Sequence, residues 1–377
     1  MGSKLKYNTR TTRKRTKLKR QKKSIGEKMK KIVFGITSLT IGGAERVLVD
    51  IANQLQEDNI TIFTIYAKGD FEKNLNPNIQ VKSLYSKQYN DLTKWEKLWI
   101  PLKIFLFRKQ IYKKTIANCY DIEVAFLEGP ITRLFSVKNK KVKKIAWIHN
   151  DILQVFGKGI KAKCKKILDK NLYQQYQEII FVSKDNLEKF KTTYQTNANT
   201  RVIYNYINPQ NVLEKVKEEV NIHFNKDVPN LVTVARLVEQ KAIDRLIKVH
   251  AQLIQEQINH HIYVIGDGPL KEKLEEQIRK ANVEKTIHLL GKKQNPYPYI
   301  RMADYFCLFS YFEGYGMVLE EAKILNKPIL ITDTAAREAI IDYPNSSIFP
   351  NTEERNKRRT RGGTKKQKNF FHANKRI

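Results

Sequence analysis

The chain contains 377 residues, of which 41% are hydrophobic, and its formal net charge is +32. This composition predicts a globular protein with room for two domains and excludes a chain that is disordered throughout. Three scattered cysteines exclude a disulfide framework and predict a cytoplasmic protein, and the sequence lacks the long apolar run that a membrane-spanning helix requires.

The positive charge is concentrated at the two ends of the chain. Residues 1–31 contain 14 Lys or Arg against one acidic residue, and residues 353–377 contain ten against two. Such segments are predicted to be disordered, so we expect irregular basic tails over 1–28 and 351–377. The N-terminal tail is interpreted either as an attachment to nucleic acid or an anionic membrane, or as non-native sequence before a start at Met29; the second is favoured.

The first part of the chain predicts strands alternating with helices. A buried strand over 31–37 is followed by a glycine turn, by a helix over 44–56 with apolar residues at helical spacing, and by a strand over 60–66. This order predicts a parallel sheet covered by helices. Further strands are predicted at 122–126, 144–148 and 178–182. We therefore expect a Rossmann-like domain over 29–208.

A second series of the same kind follows. Its predicted strands are 231–235, 261–265, 286–290, 305–309 and 328–332. The boundary between the two series is predicted within 208–229, which contains Pro209, Pro229 and a charged stretch. The fold class is therefore α/β, with a second Rossmann-like domain over 209–350.

Residues 94–114 combine large apolar side chains with lysines. One helical face would carry Trp95, Trp99, Leu102, Phe105 and Leu106. Pro101 would start or kink this helix. The composition is typical of a helix that lies in a membrane interface, which predicts a peripheral contact with an anionic membrane. The alternative is an ordinary packed helix with a solvated basic face, and both interpretations stay open.

Two features of the first domain point to a ligand. Gly42 and Gly43 follow the first strand and precede a helix, so the backbone can approach a ligand and the helix N-terminus faces it. His149 follows the strand at 144–148, at the sheet edge where open α/β folds bind ligands. It would orient a hydroxyl or polarise a carbonyl; the alternative is a hydrogen-bonded loop histidine.

Two cations follow the first strand of the second series. Arg236 and Lys241 lie on one predicted strand-to-helix loop, from which both can reach one diphosphate, because Arg offers bidentate geometry and Lys a compact charge. The alternative is a solvated charged loop. Gly266 belongs to the turn after the next strand, at the same sheet edge, and turn geometry alone would explain it.

The segment 309–322 contains two carboxylates in a strand–turn–helix pattern. Glu313 precedes the glycine-bearing turn of Gly314 and Gly316, and Glu321 lies inside the helix that follows. A helix N-terminus suits a phosphate, and the two carboxylates can accept hydrogen bonds from sugar hydroxyls. The segment thus predicts a nucleotide-sugar site; the alternative is a surface turn with an amphipathic helix.

Metal and nucleic-acid sites are not predicted. The chain contains no Asp-x-Asp pair, the arrangement that many sugar-nucleotide enzymes use to hold a divalent metal on the diphosphate. The charge of a diphosphate would then be met by Arg236, Lys241 and helix N-termini. The folded part also lacks the motifs of known nucleic-acid-binding modules, so no specific nucleic acid is expected as a partner.

The order Gly-Gly, His149, Arg236 to Lys241, Gly266 and Glu313 to Glu321 resembles the retaining glycosyltransferases of GT-B fold, family four. The resemblance covers about residues 29–350 and implies two Rossmann-like domains that face a central cleft. It implies a hexosyl transfer from a UDP- or GDP-linked sugar to a glycan or lipid-linked acceptor, as in bacterial capsule, exopolysaccharide or lipopolysaccharide synthesis, at the inner face of the cell membrane.

The resemblance also implies roles for individual residues. Glu313 would contact the donor sugar, and Glu321 would bind the ribose hydroxyls. Arg236 and Lys241 would stabilise the leaving diphosphate. His149 would lie near the transferred sugar, and the glycines at 42–43 near the phosphates or the acceptor.

Two departures from the family accompany these roles. Ala235 and Ala242 stand where the family commonly has glycines. The basic segment 351–377 replaces further helices, which predicts an incomplete C-terminal part through truncation or a change of reading frame. The alternatives to an active enzyme are a catalytically impaired, truncated glycosyltransferase and a basic nucleic-acid-binding protein.

Overall fold

The computed structural model describes residues 29–351, except 41, 56, 68, 156–166, 168 and 170. The described residues form two parallel sheets, each covered by helices, which confirms the predicted fold class. The tails over 1–28 and beyond Asn351, and with them the predicted C-terminal truncation, lie outside the described residues.

The first sheet has seven strands in the order β3-β2-β1-β4-β5-β6-β7, all paired in parallel. They are β1 (Lys31–Ile36), β2 (Asn59–Tyr66), β3 (Gln80–Tyr85), β4 (Ile122–Ala125), β5 (Lys143–Ile148), β6 (Glu178–Phe181) and β7 (Asn199–Val202). Its helices are α1 (Gly43–Gln54), α2 (Lys94–Thr115), α3 (Pro130–Phe135), α4 (Ile152–Val155) and α5 (Lys184–Thr193).

The second sheet has six strands in the order β10-β9-β8-β11-β12-β13, again all parallel. They are β8 (Asn230–Val234), β9 (His261–Ile265), β10 (Ile287–Leu289), β11 (Tyr305–Leu308), β12 (Ile329–Thr332) and β13 (Ser346–Phe349). Its helices are α6 (Pro209–Lys215), α7 (Ile243–Gln255), α8 (Lys271–Lys280), α9 (Tyr297–Met302) and α10 (Met317–Ile324). Short 3-10 helices occur at Glu72–Asn74, Tyr173–Gln175, Glu239–Lys241 and Ala335–Ala339.

Both sheets are buried on two faces, which explains their nearly continuous apolar strands. In the first sheet, Leu48 of α1 packs on one face and Phe135 of α3 on the other. In the second sheet, Ile247 of α7 and Leu319 of α10 occupy the two corresponding faces. The central strands can be predicted because burial on both faces requires a run of apolar residues rather than an alternating pattern.

Three strands were not predicted, and each lies at a sheet edge. The strands β3, β7 and β13 are partly exposed and contain polar residues such as Lys82, Arg201 and Ser346. An edge strand needs only one covered side, so its sequence loses the apolar run that marks a central strand. Asn351, which we placed in the C-terminal tail, hydrogen-bonds instead to Arg245 (2.8 Å) and to the main-chain oxygen of Tyr311 (2.7 Å).

The helix α2 covers the predicted segment 94–114, but the prediction that Pro101 starts or kinks it is wrong. It begins after Thr93, whose hydroxyl accepts a hydrogen bond from the Glu96 amide, while the Glu96 carboxylate accepts one from the Thr93 amide. Pro101 lies inside the helix, and the irregular backbone falls later, at Phe107. No helix in the described part of the chain is long and apolar enough to cross a membrane.

Candidate active site

The residues that follow the strands of both sheets meet in a cleft between the domains. The main chain of Gly314, after β11, lies so close to the carbonyl oxygen of His149, after β5, that a Cβ at position 314 would overlap it. The Met317 side chain at the start of α10 also lies against Gly43, at the start of α1. The carboxyl edges of the two sheets therefore form one site, as expected for open α/β folds.

The second domain places a paired cation and carboxylate in this cleft. The Lys241 ammonium lies 2.6 Å from Glu313 Oε1, which also accepts a hydrogen bond from the Ser310 hydroxyl at 2.5 Å. Glu313 is buried. A buried carboxylate is tolerated when a cation and a hydrogen-bond donor compensate for lost solvation. This pair joins two of the predicted site residues.

Main-chain contacts hold the loops that carry this pair. The Tyr311 amide donates to the Gln240 carbonyl at 2.9 Å, and the Gln240 side-chain amide donates to the Phe312 carbonyl at 3.0 Å. Ala242, directly after Lys241, has a φ of 50° in the left-handed region. This conformation costs an alanine about 1–2 kcal/mol and explains why the resembled family commonly has glycine there.

Arg236 lies at the same edge but is exposed, and its guanidinium forms no ion pair with the residues that the structure describes. Its charge acts on Glu45 of the first domain. Burial raises the Glu45 pKa to about 7, while the main-chain hydrogen bond of Glu45 and the charge of Arg236 lower it. Arg236 thus faces the cleft and is available for an anion.

Glu321 makes a direct bridge between the domains. Its Oε1 accepts a hydrogen bond from Arg46 of α1 at 2.5 Å and one from the Tyr297 hydroxyl at 3.0 Å. Burial raises the Glu321 pKa, and the charge of Arg46 opposes this shift. Glu321 lies inside α10, one turn after its N-terminus at Gly316, whose φ of 77° favours glycine.

His149 is a neutral, buried histidine on the first-domain side. Burial lowers its pKa to about 3, and its Nε2 atom has no hydrogen-bond partner among the described residues. The His149 amide donates to Glu128 at 3.1 Å, and the Asn150 side chain donates to the same carboxylate at 2.5 Å. Glu128 therefore holds this loop, and an unpaired imidazole nitrogen remains for a ligand hydroxyl.

The glycine turns allow the main chains to pack closely. The Glu45 carboxylate folds over Gly42, and a Cβ at Gly266 would overlap the carbonyl oxygen of Ala235, next to Arg236. The structure therefore brings predicted residues of both domains to one cleft. No group of three or more His, Cys, Asp or Glu side chains among the described residues could hold a metal ion.

Five contributors to the site were missed by sequence reasoning. Arg46 and Glu45 follow the Gly-Gly turn directly, so their position was a usable signal. Ser310 and Glu128 follow strands at the same edge, but small polar or acidic residues at strand ends are too common to single out. Tyr297 had no signal, since it lies in an apolar segment.

A second interdomain contact lies outside the cleft. The amides of Lys184 and Asp185, in the first turn of α5, donate to the Glu338 carboxylate at 2.8 and 2.7 Å. Arg337 adds an ion pair to Asp185 at 3.3 Å. A carboxylate is favoured at a helix N-terminus. The segment 334–338 thus supplies charged interdomain contacts.

Comparisons with known proteins agree with this architecture. Residues 41–211 match the model of Glycosyltransferase Family 4, and residues 215–358 match the model of Glycosyl transferases group 1. Over 324 residues, the chain is 28% identical to an N-acetylgalactosamine-N,N'-diacetylbacillosaminyl-diphospho-undecaprenol 4-alpha-N-acetylgalactosaminyltransferase of Campylobacter jejuni, covering 83% of this chain and 84% of that protein.

Two further similarities cover most of the chain. An uncharacterized glycosyltransferase of Methanocaldococcus jannaschii is 27% identical over 284 residues, 68% of each protein. The crystal structure of Anabaena HepE in complex with UDP has a TM-score of 0.61 at 17% identity, covering 85% of this chain and 86% of that one. At this identity the structural likeness supports the fold alone.

The two matched models and the two facing sheets define a glycosyltransferase of GT-B fold. Its first half belongs to Glycosyltransferase Family 4 and its second half to the group 1 glycosyl transferases.

Proposed function

We propose that the protein transfers a hexosyl group from a nucleotide diphosphate sugar to a hydroxyl group, with retention of the anomeric configuration. The observation that carries this proposal is the cleft between the domains, where Gly314, next to the Lys241–Glu313 pair, packs against the main chain of His149, and Glu321 pairs with Arg46 of the first domain. The cations suit a diphosphate, the carboxylates suit sugar and ribose hydroxyls, and the imidazole suits a further hydroxyl.

In this mechanism the protein stabilises charge that develops on the leaving group. The bond between the anomeric carbon and the diphosphate oxygen breaks, and a bond from the anomeric carbon to the acceptor oxygen forms. The acceptor proton moves to an oxygen of the leaving phosphate. Lys241 and the exposed Arg236 supply positive charge to the departing diphosphate, where electrostatic stabilisation is most effective. No covalent intermediate and no metal ion is invoked.

Each of the two carboxylates would bind a different part of the donor. Glu313 would bind the donor sugar, because Lys241 and Ser310 orient its carboxylate. Glu321 would bind the ribose hydroxyls once Arg46 yields part of its contact. The glycine turns at 42–43 and 314–316 and the turn at Gly266 would surround the phosphates. UDP or GDP is the proposed nucleotide.

The acceptor is proposed to be a glycan or a lipid-linked glycan in surface polysaccharide biosynthesis, made on the cytoplasmic side of the membrane. The support is the Campylobacter jejuni relative, whose acceptor is a saccharide linked to diphospho-undecaprenol. A sugar on such a carrier presents a hydroxyl to the His149 side of the cleft, while the lipid stays outside the protein.

The proposal is tested in two steps. A thermal-shift screen against UDP-, GDP- and ADP-linked hexoses and N-acetylhexosamines identifies the donor, because selective binding raises Tm. Transfer to an undecaprenyl-diphosphate saccharide is then followed by mass spectrometry, with and without EDTA, and the new linkage is assigned by NMR. A product with inverted configuration, or activity abolished by EDTA and restored by a divalent metal, would overturn the mechanism. A catalytically impaired chain would bind donor without transfer.

A further inference from the structure

The helix α2 exposes an apolar stripe on the side that faces away from the core. The exposed fractions of Trp95, Leu98 and Trp99 are 80%, 70% and 56%, and Leu102 and Leu106 are exposed as well. These residues recur at intervals of three and four, so they follow one face of the helix.

The opposite side of the same helix is the packed one. Ile100, Ile104 and Tyr112 are buried in the core of the first domain. An ordinary surface helix buries its apolar face and exposes polar residues. Here both faces are apolar, so packing explains one face and leaves the exposed stripe without a role inside the domain.

Basic side chains surround the stripe. The helix α2 contains six lysines and one arginine, against the single acidic residue Glu96. Glu96 is paired with Lys87 at 2.7 Å. The lysines at 103, 109, 113 and 114 are exposed. The surface is therefore strongly positive around exposed indole and leucine side chains.

Neighbouring residues extend this surface. The ring of Tyr89 is 46% exposed, and the Lys97 ammonium lies 5.2 Å from its centroid. Trp and Tyr side chains are enriched at membrane–water interfaces, since their rings combine an apolar body with a polar edge. The surface thus combines the residue types that an interfacial helix uses.

We propose that this face of α2 docks the protein on an anionic lipid bilayer, with Trp95, Trp99 and the leucines in the interfacial layer and the lysines on the lipid headgroups. Contiguous exposed apolar surface marks an interaction site, and the surrounding cations favour lipid phosphates over a neutral partner by charge complementarity. Docking through α2 does not depend on which donor or acceptor sugar the protein uses.

The test uses the full chain and its own tryptophans. The protein contains three tryptophans, and the half-buried Trp147 packs against Phe126. Trp147→Phe leaves reporters only at 95 and 99. With vesicles of phosphatidylcholine containing phosphatidylglycerol, we expect a blue shift of the Trp emission and quenching by lipids brominated near the headgroup; unchanged emission on bound vesicles would overturn the proposal.

Sedimentation with the same vesicles separates the stripe from the basic tails. We expect Trp95→Ser/Trp99→Ser to reduce the vesicle partition coefficient at least tenfold in about 1 M salt, where a Debye length of about 3 Å screens the attraction of the basic tails but burial of the indole rings still stabilises binding. Ile341→Ser, at another exposed apolar residue (71% exposed), is the matched control and should bind normally. Equal binding of the double variant and the wild type would overturn the proposal. It would also be overturned if the wild type forms a dimer in solution and the double variant is a monomer, because the stripe would then bind a second copy of the chain.

Discussion

The two walls of the cleft differ in how their polar groups are compensated. On the second-domain wall, the cation Lys241 and the carboxylate Glu313 are paired with each other. On the first-domain wall, His149 is uncharged, its pKa is lowered to about 3 by burial, and its Nε2 atom has no partner among the described residues. One wall therefore has an ion pair in place, whereas the other has an unused hydrogen-bonding atom.

This difference indicates which wall suits which ligand. A diphosphate needs fixed positive charge, and the pair keeps Lys241 in place without reorganisation during the reaction. A hydroxyl needs a neutral hydrogen-bonding group and little else. Arg46 and Glu321 join the walls across the cleft, so the charge balance depends on both domains.

The largest expected effect comes from removing the cation of the second-domain wall. Lys241→Ala should reduce kcat by about 100- to 1000-fold, as the loss of one preorganised electrostatic contact typically does. Steady-state transfer rates measure it. Lys248→Ala, an exposed lysine on α7, is the matched control and should keep wild-type kcat. Near-normal turnover of Lys241→Ala with an unchanged circular dichroism spectrum would refute the assigned role.

A steric change at Gly314, where the main chains of the two domains touch, should have the next largest effect. A Cβ at position 314 would overlap the His149 carbonyl oxygen and push the walls apart. Gly314→Ala should therefore lower kcat by about 10- to 100-fold while nucleotide binding is kept, because catalysis is more sensitive to misplacement than binding is. Steady-state transfer assays measure kcat, and calorimetric titration with the nucleotide measures its Kd, so the two effects can be separated.

Gly43→Ala is the comparison for that variant. A Cβ at position 43 would lie 3.5 Å from Met317 Cγ, an ordinary contact, so the domains should stay together. If a phosphate packs against Gly43, turnover falls while Tm is unchanged. Wild-type turnover of Gly314→Ala would show that the walls do not need their present separation.

A smaller effect is expected when the bridging carboxylate is removed. Glu321→Ala should weaken nucleotide binding by about tenfold, the scale of one hydrogen bond to a charged group. Arg46→Ala removes the same bridge and leaves Glu321 for the ribose. Isothermal titration calorimetry should therefore show a larger loss for Glu321→Ala than for Arg46→Ala; equal losses would mean that the bridge, not ribose contact, matters.

The smallest expected effect concerns the acid stability of the second domain. His250 forms hydrogen bonds with the His260 ring at 2.9 Å and with the Thr286 hydroxyl at 2.8 Å. Burial lowers the pKa of His250 to about 3. The pKa values of His260, His261 and His288, which lie around it, are also lowered mainly by burial.

His250 stays neutral in the folded protein but takes up a proton near pH 6.5 when the protein unfolds. Its contribution to the free energy of unfolding is therefore complete above about pH 6.5 and is lost as pH falls towards 3. Urea unfolding of His250→Asn between pH 7 and 4.5 should show a shallower decline than the wild type. A parallel decline in the two proteins would exclude His250 as a source of the acid sensitivity.

Much of the fold follows from local sequence patterns. The central strands are apolar runs, and the loops after them contain Arg236, Lys241 and the Glu313 turn, because parallel sheets collect their ligand-binding loops at one edge. The edge strands β3, β7 and β13 could not be predicted in the same way, since partial exposure removes the apolar run.

The sequence by itself determined the two parallel-sheet domains and which loops carry charge, since burial on two faces and turn chemistry are properties of short segments. Only the tertiary structure decided that Arg46 pairs with Glu321, 275 positions away, and that His149 is left neutral with a free ring nitrogen. The outward direction of Trp95 on α2 was decided there too. Such pairings and exposures depend on which segments pack together, and local periodicity does not specify them.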